Sequence, residues 1–252
     1  MEKAFSGQAP HFDMPTHTLA NREHLEWIRK NLELQKNHLV LDVAAGTSLL
    51  GRELAPMVGK VIALEATEAM AEQGRLACEK SGIRNLEYCK GYAESLPFED
   101  DGFDLVVCRL ALHHFKDASP AIREMKRVAK ASGVVSLIDL LSPEEPSLAR
   151  TYNDIERWRD PSHIRALGES ELLVLIQTAG LKPVKQETRR VEVDGETWLS
   201  FTGCGEEKKK LIEDRWEEES KGGAPTGMYP VRKGTAWKFY QHWTLVNAVK
   251  AR

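Results

Sequence analysis

Two acidic residues close successive apolar runs in the first third of the chain. Asp42 closes the run HLVLDV, and Glu65 closes KVIALE, with the separation of about 20 residues that nucleotide-binding folds use. A carboxylate at the tip of a second strand can accept hydrogen bonds from both hydroxyls of a ribose. The pair therefore favours a site for a nucleoside-containing cofactor at the carboxyl ends of two neighbouring strands.

The loop after Asp42, AAGTS, contains only small residues, and Gly46 is its one glycine. Small residues let a ligand approach the backbone, and the helix that follows offers free N–H groups at its start. By itself the loop is also compatible with a tight strand-to-helix turn that binds nothing. A pyrophosphate needs a run of glycines for close approach, so the composition of this loop argues against a dinucleotide.

An alternation of strands and helices over residues 37–141 would position these residues. The predicted strands are short and apolar or β-branched: HLVLDV, KVIALEA, LEYCKG, FDLVVCR and GVVSLIDLL. The predicted helices are SLLGRELAPM, TEAMAEQGRLACEKS and AIREMKRVAKA, with Thr67 as an N-cap and with Gly82 and Gly133 at helix ends. This alternation predicts a parallel sheet that is covered by helices on both faces.

The pattern changes after Leu141. Ser142, Pro143 and Glu145 predict a capping box that opens a helix. Helices over 147–159 and 170–179, the strand PVKQETRRVEV, the helix EEKKKLIEDRWEEES and a long final strand, TAWKFYQHWTLVNAVKA, are expected to follow. We predict an N-terminal cap segment at 1–36 and one domain at 37–252, with its core at 37–141 and with cap and C-terminal strands at 142–252.

Composition excludes several classes of protein. A net charge of -3 and a pI near 6.3 disfavour binding to a nucleic-acid backbone. No run approaches the ~18 apolar residues of a membrane span, and the N-terminus lacks the apolar core of a signal peptide. The four cysteines lack the CxxC spacing of a zinc site. We expect a cytoplasmic protein without a metal, and the sequence leaves monomer and homodimer open.

Three segments resemble a known family in content and spacing: VLDVAAGTS, ALEATEAM and GYAESLPFEDDGFDLVVCRLALHHF. They are similar to the class I S-adenosylmethionine-dependent methyltransferases. The likeness is strongest to the small-molecule branch that includes ubiquinone and menaquinone C-methyltransferases, and to uncharacterised bacterial relatives with a segment like RDPSHIR. The resemblance implies a Rossmann-like seven-stranded α/β sheet, mostly parallel with an antiparallel last strand, plus a helical cap. It also implies S-adenosylmethionine as cofactor and S-adenosylhomocysteine as product.

By this resemblance, Asp42 and Gly46 would shape the loop around the methionine part of the cofactor, and Glu65 would take the ribose hydroxyls. Arg109 would lie beside the transferred methyl group. The adenine would be surrounded by Ala66, Met70, Ala93 and Glu94. The full set of expected cofactor residues is Asp42, Ala44, Gly46, Glu65, Ala66, Met70, Ala93, Glu94 and Arg109.

Three residues depart from the family pattern. Ala44 and Ser48 replace glycines, and Tyr92 stands where an aspartate is common. Ala44 fits if its backbone keeps a negative φ, Ser48 can serve as a helix N-terminal hydroxyl, and Tyr92 can stack on the adenine. The changes keep one alternative open, an inactive cofactor-binding paralogue that acts as a partner subunit or sensor. A NAD-dependent oxidoreductase is a further alternative, but it would need a second glycine in the first loop.

Methyl transfer from a sulfonium is an in-line displacement in which alignment supplies much of the rate. A general base is needed only for a protonated acceptor. Arg109, His113 and His114 follow the fourth strand and are the candidates. Because neighbouring helical residues point about 100° apart, we expect at most one histidine to face the pocket, with His114 as the candidate catalytic residue. A purely structural role for both histidines remains open.

The segment ERWRDPSHIRA is the second candidate region. It can form a lid that presents cations to an anionic or enolate-like acceptor, or Asp160 and Ser162 can simply cap a short helix beside solvated arginines. The expected acceptor is a small organic molecule, anionic or quinone-like, methylated at carbon, oxygen or nitrogen. For its pocket we predict His113, Arg159, His163 and Arg165.

Overall fold

A computed structural model of the protein describes residues 2–9, 12–14 and 18–251. Within these residues the chain forms one sheet of eight strands, in which seven follow the order β3-β2-β1-β4-β5-β8-β6 and β7 pairs with β8. The strands are β1 Leu39–Val43, β2 Lys60–Glu65, β3 Leu86–Lys90, β4 Phe103–Arg109, β5 Ala129–Leu141, β6 Leu181–Asp194, β7 Val231–Lys233 and β8 Ala236–Lys250.

The strand directions confirm the predicted fold class. The strands β1 to β5 pair in parallel, and β8 is antiparallel to β5 and β6. The chain order reverses between β1 and β4, which is where ligands bind in sheets of this kind. The register of β8 places Trp243 opposite Leu140, near the carboxyl end of β5.

Helices lie on both faces of the sheet. They are α1 Glu2–Gln8, α2 Arg22–Lys30, α3 Leu49–Leu54, α4 Glu68–Ser81, α5 Ser119–Val128, α6 Pro146–Arg159, α7 Glu169–Thr178, α8 Gly195–Phe201 and α9 Glu206–Ser220. Short 3₁₀ turns occur at Thr18–Ala20, Ala55–Met57 and Leu112–His114. Thr67 stands at the N-cap position of α4 as predicted, although its hydroxyl makes no capping bond, and Gly82 ends α4 with a φ of 68°.

Two predicted helix boundaries are wrong. Helix α5 ends at Val128, and Gly133 lies inside β5, where its absent Cβ leaves room for the carbonyl oxygen of Phe103. Pairing with β4 has overridden the helical preference of the AKA segment. Helix α6 starts at Pro146 rather than at Pro143, because the carboxylate of Glu145 accepts the N–H groups of the first turn.

Three apolar clusters hold the layers together. One lies between the sheet and helices α5 and α7, and a second lies under α2 and α3. The third is aromatic, with Trp198 of α8 packed against Trp216 of α9 and Phe239 of β8. It fixes α8, which was not predicted, against the C-terminal strands.

The predicted N-terminal cap segment is described only in part, since residues 1, 10–11 and 15–17 lie outside the described residues. Helix α1 packs on α4. No helix in the described part of the chain is long and apolar enough to cross a membrane.

Candidate active site

A cavity of about 760 Å³ opens at the carboxyl ends of β1, β2 and β4. Its volume is in the range of pockets that enclose small molecules and cofactors. The walls include the N-terminal segment, the strand tips with the loops that follow them, the end of α6, helix α8 and strand β8. The cavity therefore lies where the reversal of strand order predicts a ligand site.

All nine residues that the sequence predicts for the cofactor line this cavity, although they come from four separate segments of the chain. They are Asp42, Ala44, Gly46, Glu65, Ala66, Met70, Ala93, Glu94 and Arg109. Tyr92 also lines it and is 58% exposed, at the rim beside Ala93 and Glu94.

The carboxylate of Glu65 connects the loop after β1 with the loop after β2 through hydrogen bonds. Its Oε2 accepts the N–H of Gly46 at 2.7 Å, and its Oε1 accepts the N–H of Thr67 at 2.8 Å. A carboxylate has about four acceptor positions, so both oxygens can accept further hydrogen bonds. The geometry holds the carboxylate in place and leaves it able to bind a pair of hydroxyls.

The first loop adopts left-handed backbone geometry at three positions. Ala44 has a φ of 53°, Gly46 of 57° and Ser48 of 52°. The condition that Ala44 keeps a negative φ is therefore wrong. The hydroxyl of Ser48 also does not cap α3; it donates to Oδ2 of Asp42 at 2.7 Å. A Cβ at Gly51 would lie 2.2 Å from this hydroxyl, so the bond requires a glycine there.

Asp42 and Arg109 are opposite charges in the cavity wall, where Asp42 is buried and Arg109 is half-buried. Burial raises the pKa of Asp42 to about 6, although hydrogen bonds from Ser48 and Gly51 work against this shift. Burial lowers the pKa of Arg109 to about 10, against the attraction of Asp42. Arg109 donates from Nη2 to the carbonyl of Leu19 at 2.5 Å, while its Nε finds no acceptor among the described residues.

Both histidines after β4 line the cavity, so the expectation that only one would face it is wrong. They lie in the 3₁₀ turn Leu112–His114, and their ring centroids are 4.2 Å apart. The turn is tighter than an α-helix, and both rings reach the same cavity.

Asp139 of β5 binds His113. Its Oδ1 lies 2.5 Å from Nδ1 of the imidazole, and the same oxygen accepts the N–H of Leu140 at 2.7 Å. Burial lowers the pKa of His113, but the charge and hydrogen bond of Asp139 act together with the charges of Glu156 and Asp160, and the pKa lies above that of an ordinary histidine. Our sequence reasoning missed Asp139. Its signal is a single acid in the apolar run SLIDLL, because a buried carboxylate requires a partner.

His114 is in a different environment. Its Nδ1 lies 3.0 Å from the carbonyl oxygen of Ser162, which can only accept, so Nδ1 carries the hydrogen. Burial, followed by the charge of His113, lowers the pKa of His114 to about 3. This imidazole is neutral at physiological pH.

Arg159 lines the cavity as predicted, but its charge is already paired. Its Nη2 lies 3.1 Å from Oε2 of the fully buried Glu156, and its Nη1 lies 3.9 Å from Oδ2 of Asp160. The guanidinium also stacks over the ring of Trp198, with 4.7 Å between Cζ and the ring centroid. The arrangement is a neutralised buried cation and not a free positive lid.

His163 and Arg165 do not line the cavity. The Nε2 of His163 bonds to Oδ1 of Asn153 at 2.8 Å, behind the cavity wall. Arg165 forms two hydrogen bonds of 2.6 and 2.5 Å to the exposed carboxylate of Glu171 in α7. The backbone N–H of Arg165 nevertheless donates to the carbonyl of His113 at 3.0 Å, so the segment supports the histidine turn from behind.

Several lining residues were not predicted, and most come from distant parts of the chain: Phe5, Gln8, Phe12, Thr197, Phe201, Gln241 and Trp243. They share no local motif. In the described part of the protein, no cluster of histidine, cysteine and acidic residues is placed to hold a metal ion.

Comparison with known proteins gives the family. A profile described as a methyltransferase domain matches residues 41–137. The uncharacterized methyltransferase YcgJ of Bacillus subtilis is 34% identical over 193 residues, which cover 77% of this chain and 76% of that protein. The demethylmenaquinone methyltransferase of Listeria welshimeri is 30% identical over 168 residues, which cover 64% of this chain and 71% of that protein.

The folds agree as well. The crystal structure of Bacillus subtilis YcgJ superposes with a TM-score of 0.83 at 28% identity, and the match covers 92% of this chain and 100% of that one. The sheet order, the predicted loops and these relatives lead to one conclusion. The chain belongs to the class I S-adenosylmethionine-dependent methyltransferases and is a methyltransferase.

Proposed function

We propose that the protein transfers the methyl group of S-adenosylmethionine to a small, neutral, ring-bearing molecule. One observation carries this proposal: a single cavity is lined both by the Glu65 loops and by a group of aromatic rings that includes Trp198 and Trp243, which we call the aromatic chamber. When bound, the cofactor supplies a methyl group on a sulfonium, which a nucleophile can displace. The open chamber speaks against a paralogue whose substrate space is filled by side chains.

The residues on the cofactor side fit the proposed ligand. The Glu65 carboxylate is fixed by two backbone N–H groups and can take the ribose hydroxyls. Asp42 provides negative charge for the cationic methionine part. The Nε of Arg109 is a buried donor that lacks an acceptor in the described structure, and buried donors of this kind are normally satisfied. A carboxylate of the cofactor would satisfy it.

The acceptor side favours a neutral ring. The rings of Phe5, Trp198, Phe201 and Trp243 line it, and the charge of Arg159 is already balanced by Glu156 and Asp160. A carboxylate or phosphate on the acceptor would find no unpaired cation among these lining residues. One relative is named for demethylmenaquinone, a quinone, which agrees with this preference.

Two donors in the chamber have no partner among the described residues. They are Nε of Arg159 and Nε1 of Trp198, both buried in residues that line the cavity. Each can donate to an oxygen of the acceptor. We therefore propose a ring that carries oxygen, methylated at oxygen or at an adjacent carbon.

Calorimetric titration with S-adenosylmethionine, S-adenosylhomocysteine and NAD in parallel tests the cofactor assignment. We expect micromolar binding of the two adenosyl compounds and no binding of NAD. Binding of NAD, or failure of both adenosyl compounds to bind, would contradict the proposal.

A further inference from the structure

Asp139 holds the His113 ring in one orientation and one tautomer. A carboxylate accepts hydrogen bonds only, so the 2.5 Å contact places a hydrogen on Nδ1 of His113. The backbone N–H of His113 also points to the same carboxylate, at 3.3 Å from Oδ2. The remaining nitrogen, Nε2, is then free to carry a lone pair. This is the arrangement by which a carboxylate orients a histidine base.

The surroundings favour a positive charge on His113 and disfavour one on its neighbours. Three carboxylates act on it, from Asp139 of β5 and from Glu156 and Asp160 on and after α6, and they raise the pKa of His113 against the effect of burial. Burial and the charge of His113 lower the pKa values of His114 and His163. Of the three adjacent imidazoles, His113 is therefore the one that can hold a proton taken from a substrate.

We infer that His113 is the general base of the transfer, that Asp139 is its positioning residue, and that the acceptor is a neutral ring-bearing molecule with an acidic hydroxyl or enolisable C–H. This inference rests on the proposed function. It moves the catalytic role from His114, which the sequence favoured, to His113.

Nε2 of His113 takes the proton of the acceptor, and the electron pair left on its oxygen or carbon forms the bond to the methyl carbon. The sulfonium–methyl bond breaks and its electron pair stays on sulfur. The positive charge of the sulfonium is thus replaced by the imidazolium of His113, which Asp139 stabilises until the proton leaves to water.

The first test needs no acceptor. Protein labelled with ¹⁵N at histidine and loaded with S-adenosylhomocysteine is titrated with acid and base, and His113→Asn identifies the signal. We expect Nε2 of His113 to titrate above the ordinary histidine value while Nδ1 keeps its hydrogen. In Asp139→Asn the midpoint should fall by about one unit or more, and in Asp154→Asn, an exposed acid of α6, it should not move. An unchanged midpoint in Asp139→Asn would overturn the inference.

The second test uses 2-naphthol and 2-methoxynaphthalene, which differ in the acidic proton. His113→Asn keeps an amide donor toward Asp139 but removes Nε2. The parent enzyme loaded with S-adenosylhomocysteine should bind 2-naphthol roughly tenfold more tightly than the methyl ether, and His113→Asn should abolish this preference. His242→Asn, a substitution outside the cavity wall, should preserve it. Equal binding of both probes, binding of neither, or a preference that survives His113→Asn would overturn the inference.

Binding of S-adenosylhomocysteine is measured for every variant. If the parent protein does not bind S-adenosylhomocysteine, the proposed function is wrong. Retained binding without a naphthol preference would mean that only the role of His113 fails.

Discussion

The hydroxyl of Ser48 donates to Oδ2 of Asp42 over 2.7 Å, and both residues are almost fully buried. This bond joins the start and the end of the first loop. It holds Ser48 at a φ of 52°, with Ala44 at 53° nearer the start of the same loop. Left-handed geometry costs a residue with a Cβ about 1–2 kcal/mol. The loop is therefore held in a strained shape by its own hydrogen bonds, before any ligand arrives.

Ala44→Gly should stabilise the protein. Removing the Cβ relieves the left-handed strain, and part of the gain is offset by the greater freedom of glycine in the unfolded chain. We expect the free energy of unfolding to rise by roughly 0.5–1 kcal/mol, measured by urea denaturation. At the neighbouring left-handed position, Gly46→Ala should lower the free energy of unfolding by about 1 kcal/mol. The cost is backbone strain alone, because the added Cβ would lie 3.6 Å from the Phe12 ring, an ordinary van der Waals contact. A destabilised Ala44→Gly protein would show that the loop is not strained.

Asp42 should make stability depend on pH. Burial raises its pKa in the folded protein to about 6, above the unfolded value. Its contribution to stability is therefore complete below about pH 4 and is lost as the pH rises through about 6. Asp42→Asn should remove this dependence, which amounts to about 3 kcal/mol. Urea unfolding of both proteins across this range measures it. Parallel pH profiles would contradict the assignment.

Asp13 should retain the N-terminal segment over the cavity. Its carboxylate accepts the hydroxyl of Thr47 and pairs with Arg52, so it connects a part of the N-terminal segment to the first loop and α3. Asp13→Asn should increase the dissociation rate of S-adenosylhomocysteine about five-fold, as measured by stopped-flow fluorescence. Glu53→Gln is the matched control, because Glu53 lies on α3 beside Arg52 but pairs with Arg29 of α2. An unchanged dissociation rate in Asp13→Asn would show that Asp13 does not retain the N-terminal segment over the cavity.

The buried pair of Glu156 and Arg159 should be important for folding. Glu156 is fully buried and also accepts Nε2 of Gln241 at 2.9 Å, so its loss strands a buried guanidinium. Glu156→Ala should cost about 3–5 kcal/mol of unfolding free energy. Asp154→Ala breaks the exposed pair with Arg157 and should cost less than about 1 kcal/mol. Similar losses in thermal or urea unfolding for the two variants would contradict this account.

The sequence predicts those elements of the fold that have a signal within a short stretch of chain. Strands β1 to β5 are apolar runs bounded by turns, and the strand-tip acid Glu65 follows from its position in such a run. The end of α5 was missed because AKA is a good helical sequence, and only its pairing with Phe103 of β4 makes it a strand. Non-local pairing of this kind leaves no trace in a short window of sequence.

The acceptor side of the cavity was predicted less well for the same reason. Trp243 reaches the cavity because β8 runs between β5 and β6 in one particular register, and Trp198 does so through the unpredicted α8. Arg159 was predicted to line the pocket, but Glu156 and Asp160, which neutralise it, were not. Charge pairing inside a folded protein depends on neighbours across elements, and spacing along the chain does not reveal it.

Calorimetry of S-adenosylmethionine binding to Glu65→Gln tests the central claim most directly. Glu65→Gln keeps the shape of the side chain but removes the carboxylate that would accept hydrogen bonds from the ribose hydroxyls. We predict that the dissociation constant rises by roughly 10- to 100-fold, while Glu68→Gln, at an exposed acid three residues along the chain, leaves it unchanged. Equal affinity in the parent and in Glu65→Gln would contradict the placement of the cofactor in this cavity.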